Sequence, residues 1–240
     1  MQEYMFDYNQ YKKSIYKNND KIFFPLIFLV IILLLGLAIF LRPQANIYVE
    51  YYFVELGSFE SYKSANEYAL SIQENGGAGY IYYDEKYHVF ASFYSTYGDA
   101  DTVTKNLKND YPKTNIFTLQ VLNLNKKSNI DDAIKNIFLA QTKLIQDMEN
   151  IALDFDKNEI TFAQAKIMLE SSHKTYLESH DAFISSYKHE KKYNVHKGYL
   201  LDISTALDSL LSCVENNLST TLRFTIIDIT LNHFRFSSLF

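Results

Sequence analysis

Residues Ile22 to Leu41 (IFFPLIFLVIILLLGLAIFL) carry neither a charge nor a polar side chain, and no other stretch restricts the chain so strongly. As a helix rising 1.5 Å per residue the segment is about 30 Å long, the thickness of a hydrocarbon core. Seventeen of its twenty residues are Leu, Ile, Phe or Val. At the bilayer centre these favour insertion by about 5 to 10 kcal/mol in total, as an upper bound. Pro25 falls in the first turn, where its missing N–H costs little. A cleaved signal would have a shorter apolar region followed by small residues, whereas Leu41-Arg42-Pro43 stands here. The expectation is a retained transmembrane helix over 22–41. Lys12, Lys13, Lys17 and Lys21 precede it and only Arg42 lies close behind. The positive-inside tendency then makes 1–21 a cytoplasmic tail and places the C-terminal domains outside the cell membrane, in a single pass.

Beyond a short linker, 42–50, the apolar pattern changes period. In Tyr52–Gly57, alternate residues suit opposite faces of a strand. Ser61–Asn75 has Ala65, Ala69 and Ile72 at helical spacing, and Gly76-Gly77-Ala78-Gly79 breaks it. Tyr80–Tyr83 and Tyr87–Phe93 form a hairpin across Asp84-Glu85-Lys86. Thr96–Asp110 is a second helix, stopped by Pro112, and Asn115–Leu122 a fourth strand. The order βαββαβ implies four antiparallel strands with both helices on one face, over 51–122.

Tyr52-Phe53-Val54-Glu55-Leu56-Gly57-Ser58-Phe59, Ala65, the glycine cluster and Tyr87-His88-Val89-Phe90-Ala91-Ser92-Phe93 resemble a SPOR (sporulation-related repeat) domain. The resemblance covers about residues 50–122. With a single span before it, the arrangement also resembles the stage II sporulation protein B type. It implies binding to peptidoglycan, as glycan strands stripped of stem peptides, at division or sporulation septa. Three positions depart from the family pattern: Glu55 replaces its Gln, His88 its Arg, and Ala91-Ser92 its Gly-Pro. The first two weaken attraction to muramate carboxylates.

The residues themselves suggest a binding face. With both helices on one side, Phe53, Glu55, His88, Phe90 and Ser92 should project from the other, with Ser58 at the end of the motif. Aromatic faces stack on sugar rings, and polar groups at the rim meet hydroxyls. The expected glycan-binding residues are therefore Phe53, Glu55, Ser58, His88, Phe90 and Ser92. The plainer alternative is that these aromatics are surface residues, or pack against the C-terminal region.

Residues 128–221 read as helical. Ser128 with Asp131 suits a helix N-cap and an acidic first turn, and apolar residues from Ile130 to Phe155 keep helical spacing. Thr161 with Gln164 makes a capping box, and Phe162, Leu169, Tyr176 and Phe183 recur every seven residues. After an interruption at Asn194–Gly198, a third helix carries Ile203, Leu207, Leu210, Val214 and Leu218. These imply a helical bundle or hairpin that docks septal or cell-wall membrane proteins. Residues 222–240 are apolar without a period, an uncertain tail interrupted by Asp228, His233 and Arg235.

Chemical motifs are few. Asp154-x-Asp156-x-Asn158 lacks the glycine and the bidentate glutamate of a calcium loop, leaving an inter-helix turn as the default. His173 and His180 lie about 10 Å apart along a helix, too far to share a metal. One cysteine, Cys213, excludes an intrachain disulfide, and the net charge of −5 argues against nucleic acid as a partner. Neither an enzyme nor a cofactor is expected. The expected fold class is α+β: a single N-terminal transmembrane helix, a small βαββαβ (SPOR/RNP-like) domain, then a C-terminal α-helical bundle or hairpin. The function that follows is a membrane-anchored envelope protein binding denuded glycan. The alternative is an extracytoplasmic protein-interaction scaffold with a degenerate, non-glycan-binding SPOR-like domain.

Overall fold

A computed structural model describes residues 47–240. Four strands, β1 (Tyr48–Phe59), β2 (Tyr80–Asp84), β3 (Lys86–Tyr94) and β4 (Asn115–Leu122), form one antiparallel sheet in the order β2-β3-β1-β4. Helix α1 (Tyr62–Glu74) follows β1, and α2 (Tyr97–Leu107) follows β3. Ser61 and Thr96 cap them, each side-chain oxygen accepting from the backbone N–H three residues on at 3.2 Å. Against α1, which buries Ala65, Ala69 and Ile72, the sheet turns Val54, Leu56, Val89 and Ala91.

The opposite face is just as apolar. Tyr51, Phe53, Phe90, Phe93, Leu119 and Val121 belong to a second, larger core shared with the C-terminal helices. A sheet apolar on both sides needs a layer on each. The second layer consists of α3 (Asp132–Asp156), α4 (Phe162–Ser186), α5 (Asn194–Leu211) and α6 (Leu218–Ser238). Each packs on the next, and α6 closes back on α3 while also lying on β2, β3 and β4.

The expected fold class is therefore corrected. The span expected over 22–41, with the tail 1–21, lies outside the described residues; among the described residues no helix is long and apolar enough to cross a membrane. Nor do the described residues form a small domain followed by a separate bundle: Ile47–Phe240 is one compact unit with helices on both faces of its sheet. The physical reason lies in α6. The segment lacks a helical period because it is buried nearly all round, from Leu218 and Leu222 to Phe236 and Ser237. The third expected helix also divides, since α5 ends at Leu211 and α6 begins at Leu218. Asp131, rather than Ser128, caps α3, accepting from Ala133 N–H at 2.9 Å. The Thr161–Gln164 capping box forms at α4.

Two backbone features set the detail. Gly76 and Gly79 both have positive φ (84° and 56°), letting the chain turn from α1 into β2. A Cβ on Gly79 would lie 2.3 Å from the Ala69 carbonyl oxygen, whereas one on Gly76 would meet nothing within 4 Å. Gly79→Ala should therefore destabilise by more than about 2 kcal/mol, and Gly76→Ala by only the left-handed penalty of about 1–2 kcal/mol, in denaturant titrations.

His233, on α6, is fully buried. Its Nδ1–H donates to Gln141 Oε1 at 2.7 Å, and its ring lies 4.6 Å from that of Phe138. Burial drives its pKa down to about 3. Between that value and the ordinary 6.5, the unfolded chain binds a proton that the folded chain does not, so stability rises with pH through this window and falls on acidification. The buried carboxyls Glu149 and Asp228, whose pKa values burial raises, act with the opposite sign just above the normal carboxylate range. At pH 5 the histidine should lower the folding constant on the order of thirtyfold relative to pH 8. His233→Gln, whatever its stability at pH 8, should show a shallower decline, read from denaturation midpoints across that range.

Candidate functional surface

The six residues expected to bind glycan do not share one open face. Phe53 and Phe90 stack at 5.0 Å between ring centroids, 24° from parallel, and both have 0% exposure. The plainer alternative, packing on the C-terminal region, describes these two rings. Ser58 is exposed near the end of β1. Ser92 is buried on the other side of the sheet. There the β1–β3 register passes from Val54↔Ser92 to Glu55↔Phe90, leaving Ala91 as an extra residue. The bulge changes the phase of β3, so Phe90 and Phe93 both face the bundle although three positions apart. Ser92 instead joins Leu56, Ile72, Ala91, Val103 and Leu107 around a cavity of about 290 Å³ on the α1–α2 side.

Glu55 and His88 meet each other. His88 Nδ1 is 2.7 Å from Glu55 Oε1, and Nε2 is 3.3 Å from the Asp84 carbonyl oxygen. Their side chains are only 16% (His88) and 11% (Glu55) exposed. The two polar departures from the SPOR pattern at Glu55 and His88 thus satisfy one another at the edge of the aromatic core. Phe117 lies 5.3 Å from the His88 ring, and Tyr82 lies 6.0 Å from Phe90. Tyr82, His88 and Phe117 stay partly exposed, making this the open end of an otherwise covered face.

Contacts that the sequence did not foresee hold the cover down. Tyr80 on β2 donates to Asp228 Oδ1 on α6 at 2.8 Å, and Ser95 N–H donates to Glu149 Oε1 on α3 at 2.8 Å. Arg223 on α6 donates to the Gly76 carbonyl at 2.8 Å and pairs with Asp156, which also accepts from Ser219. Burial raises the pKa of Asp228 and of Glu149. A usable signal was present: lone charges within an apolar segment mark places where a buried partner is needed. Asp156 also explains the Asp154–Asn158 stretch, which is an inter-helix turn with Asn158 at φ 58° and Glu159 N–H donating to the Asp154 carbonyl. Among the described residues, no three His, Cys, Asp or Glu side chains gather where they could hold a metal ion.

The outer side of the bundle carries isolated large apolar side chains. Ile167 on α4, Leu201 on α5 and Val214 between α5 and α6 are each more than 60% exposed. A groove of mixed polarity lies between α5 and α6, lined by Asp202, Asp228, Asn232 and Arg235 together with Phe224.

The Glu55–His88 pair yields a stability prediction. His88→Ala leaves a mostly buried carboxylate without its partner and should cost about 1–3 kcal/mol. Glu55→Gln keeps an amide to meet the imidazole and should cost less than about 1 kcal/mol, measured by chemical denaturation at neutral pH.

No protein-family model matches this chain, and neither a curated protein nor a solved structure matches it. The likeness to SPOR domains therefore rests on the motif residues of 50–122.

Proposed function

We propose that this chain is a non-catalytic protein-binding scaffold built on a SPOR-like sheet whose glycan-facing side is occupied by its own helices. The observation that carries this reading is the complete burial of Phe53 and Phe90 beneath the C-terminal layer. A sugar ring needs an accessible aromatic face, and these two rings already stack on each other. Surface available to partners lies instead on the outer bundle, around Ile167, Leu201 and Val214. The septal setting that the SPOR resemblance implies indicates where partners should be sought.

One observation favours glycan contact as a second reading. Tyr82, His88 and Phe117 remain partly exposed at the open end of the sheet, with Ser58 exposed on neighbouring β1. Such a contact would involve this edge and not the whole face.

Pelleting the full chain with amidase-treated and with intact peptidoglycan sacculi separates the two. The scaffold reading expects no preference for the denuded material. A preference lost in Phe117→Ala would replace it with edge-on glycan binding. For the partner surface, point substitutions are cleaner than deleting 128–240, because deletion would uncover the second face of the sheet. Ile167→Glu with Leu201→Glu should abolish focal localisation in cells while leaving the melting temperature unchanged. Retained foci would exclude this surface.

A further inference from the structure

The two edges of the sheet differ. β2 is five residues long, ends at the Asp84-Glu85-Lys86 turn, and is tied to α6 through Tyr80, whose ring lies 4.8 Å from that of Phe224. β4 is eight residues long, Asn115-Ile116-Phe117-Thr118-Leu119-Gln120-Val121-Leu122. It has no charge, no proline, no glycine and no bulge against β1, with which it pairs in unbroken register from Tyr48↔Leu122 to Glu55↔Asn115. Among the described residues, no backbone or side-chain hydrogen bond reaches the N–H and C=O groups on its outer edge. Edge strands are ordinarily blunted by charge, proline, bulges or brevity. β4 has none of these devices.

We propose that β4 pairs antiparallel with β4 of a second copy of this chain, joining two four-stranded sheets into one of eight strands. The sequence of the strand selects this occupant. In a two-fold pairing that keeps each face with its like, residue numbers across the interface sum to an even number. With Leu119 opposite Leu119, Phe117 meets Val121, Ile116 meets Leu122 and Thr118 meets Gln120, so apolar residues face apolar ones and polar face polar. Shifting by two residues in total either way sets Ile116 against Gln120, or Thr118 against Leu122. Beyond the strand, Lys113 falls opposite Asn125 and Lys126 opposite Pro112, so no like charges oppose. Directly opposed cross-strand pairs are the unit of sheet stabilisation, and the matched register collects them without a clash of polarity. The inference stands apart from the scaffold reading, since it uses neither the outer bundle nor the buried aromatic face.

Sedimentation equilibrium of the full chain over a dilution series tests it. A reversible monomer–dimer equilibrium is expected. Thr118→Lys with Gln120→Lys, both at exposed positions, sets lysines opposite lysines and should raise the dimer Kd by about tenfold or more without altering the helical circular dichroism signal. Register is read by disulfide trapping in a Cys213→Ala background. A mixture of Thr118→Cys and Gln120→Cys chains should cross-link to each other, while either variant alone should not. A monomer at every concentration, a dimer indifferent to the two lysines, or cross-linking of Thr118→Cys chains to themselves would overturn the proposal.

Discussion

The stack of Phe53 on Phe90 is the contact on which the bundle side of this molecule depends. The two rings come from adjacent central strands, lie 5.0 Å apart and are closed from water entirely. Around them gather Phe93, Phe117 and Tyr82 from the sheet, with Phe93 brought onto this side by the bulge at Ala91. Burying an aromatic side chain fully is worth on the order of 2–3 kcal/mol. A sheet presenting several such rings on one face and an aliphatic core on the other cannot stand with either side bare. The helical layer supplied by 132–238 answers that requirement, and the buried polar contacts of Asp228, Glu149 and Arg223 fix where it sits.

This arrangement gives another meaning to the positions where the chain departs from the SPOR pattern. A glutamate and a histidine each look like a loss when compared singly with a family glutamine and arginine. Placed 2.7 Å apart beneath a partial cover, they form a complementary pair that a free glycan-binding face would not need. Ser92 follows a similar logic. Its neighbour Ala91 is the bulged residue, and the serine faces the α1–α2 cavity instead of the aromatic rings.

Much of the sheet was legible in the sequence because its signals are local. Strand alternation in Tyr52–Gly57, glycines at 76, 77 and 79, the helix starts at Ser61 and Thr96, and the capping box at Thr161 act within a few residues, and each leaves its mark on composition. The fate of the second face was not legible. Alternation keeps Ser92 on the side of His88 and Phe90 only if β3 runs without a bulge, and it does not say what lies opposite Phe53 and Phe90. Residues 222–240 posed the matching difficulty. A helix buried nearly all round has no clear apolar stripe, so the segment that completes the core carries no period to identify it. The candidate site suffered most, because exposure, the property that makes an aromatic residue a ligand platform, is settled by tertiary packing.

The position of α6 also has a consequence for biosynthesis. It is the last of the described helices to leave the ribosome, yet it is the one laid across β2, β3 and β4. The sheet can pair as soon as β4 has emerged at Leu122, but more than a hundred further residues, through the end of α6 at Ser238, must be made before its aromatic side is shut. At roughly 5–20 residues per second this leaves an interval of several seconds or more. During that time an apolar surface and an uncharged strand edge are exposed together on one nascent chain. Those are the features that recruit chaperones, and in crowded polysomes they are also the features that let neighbouring chains find each other early.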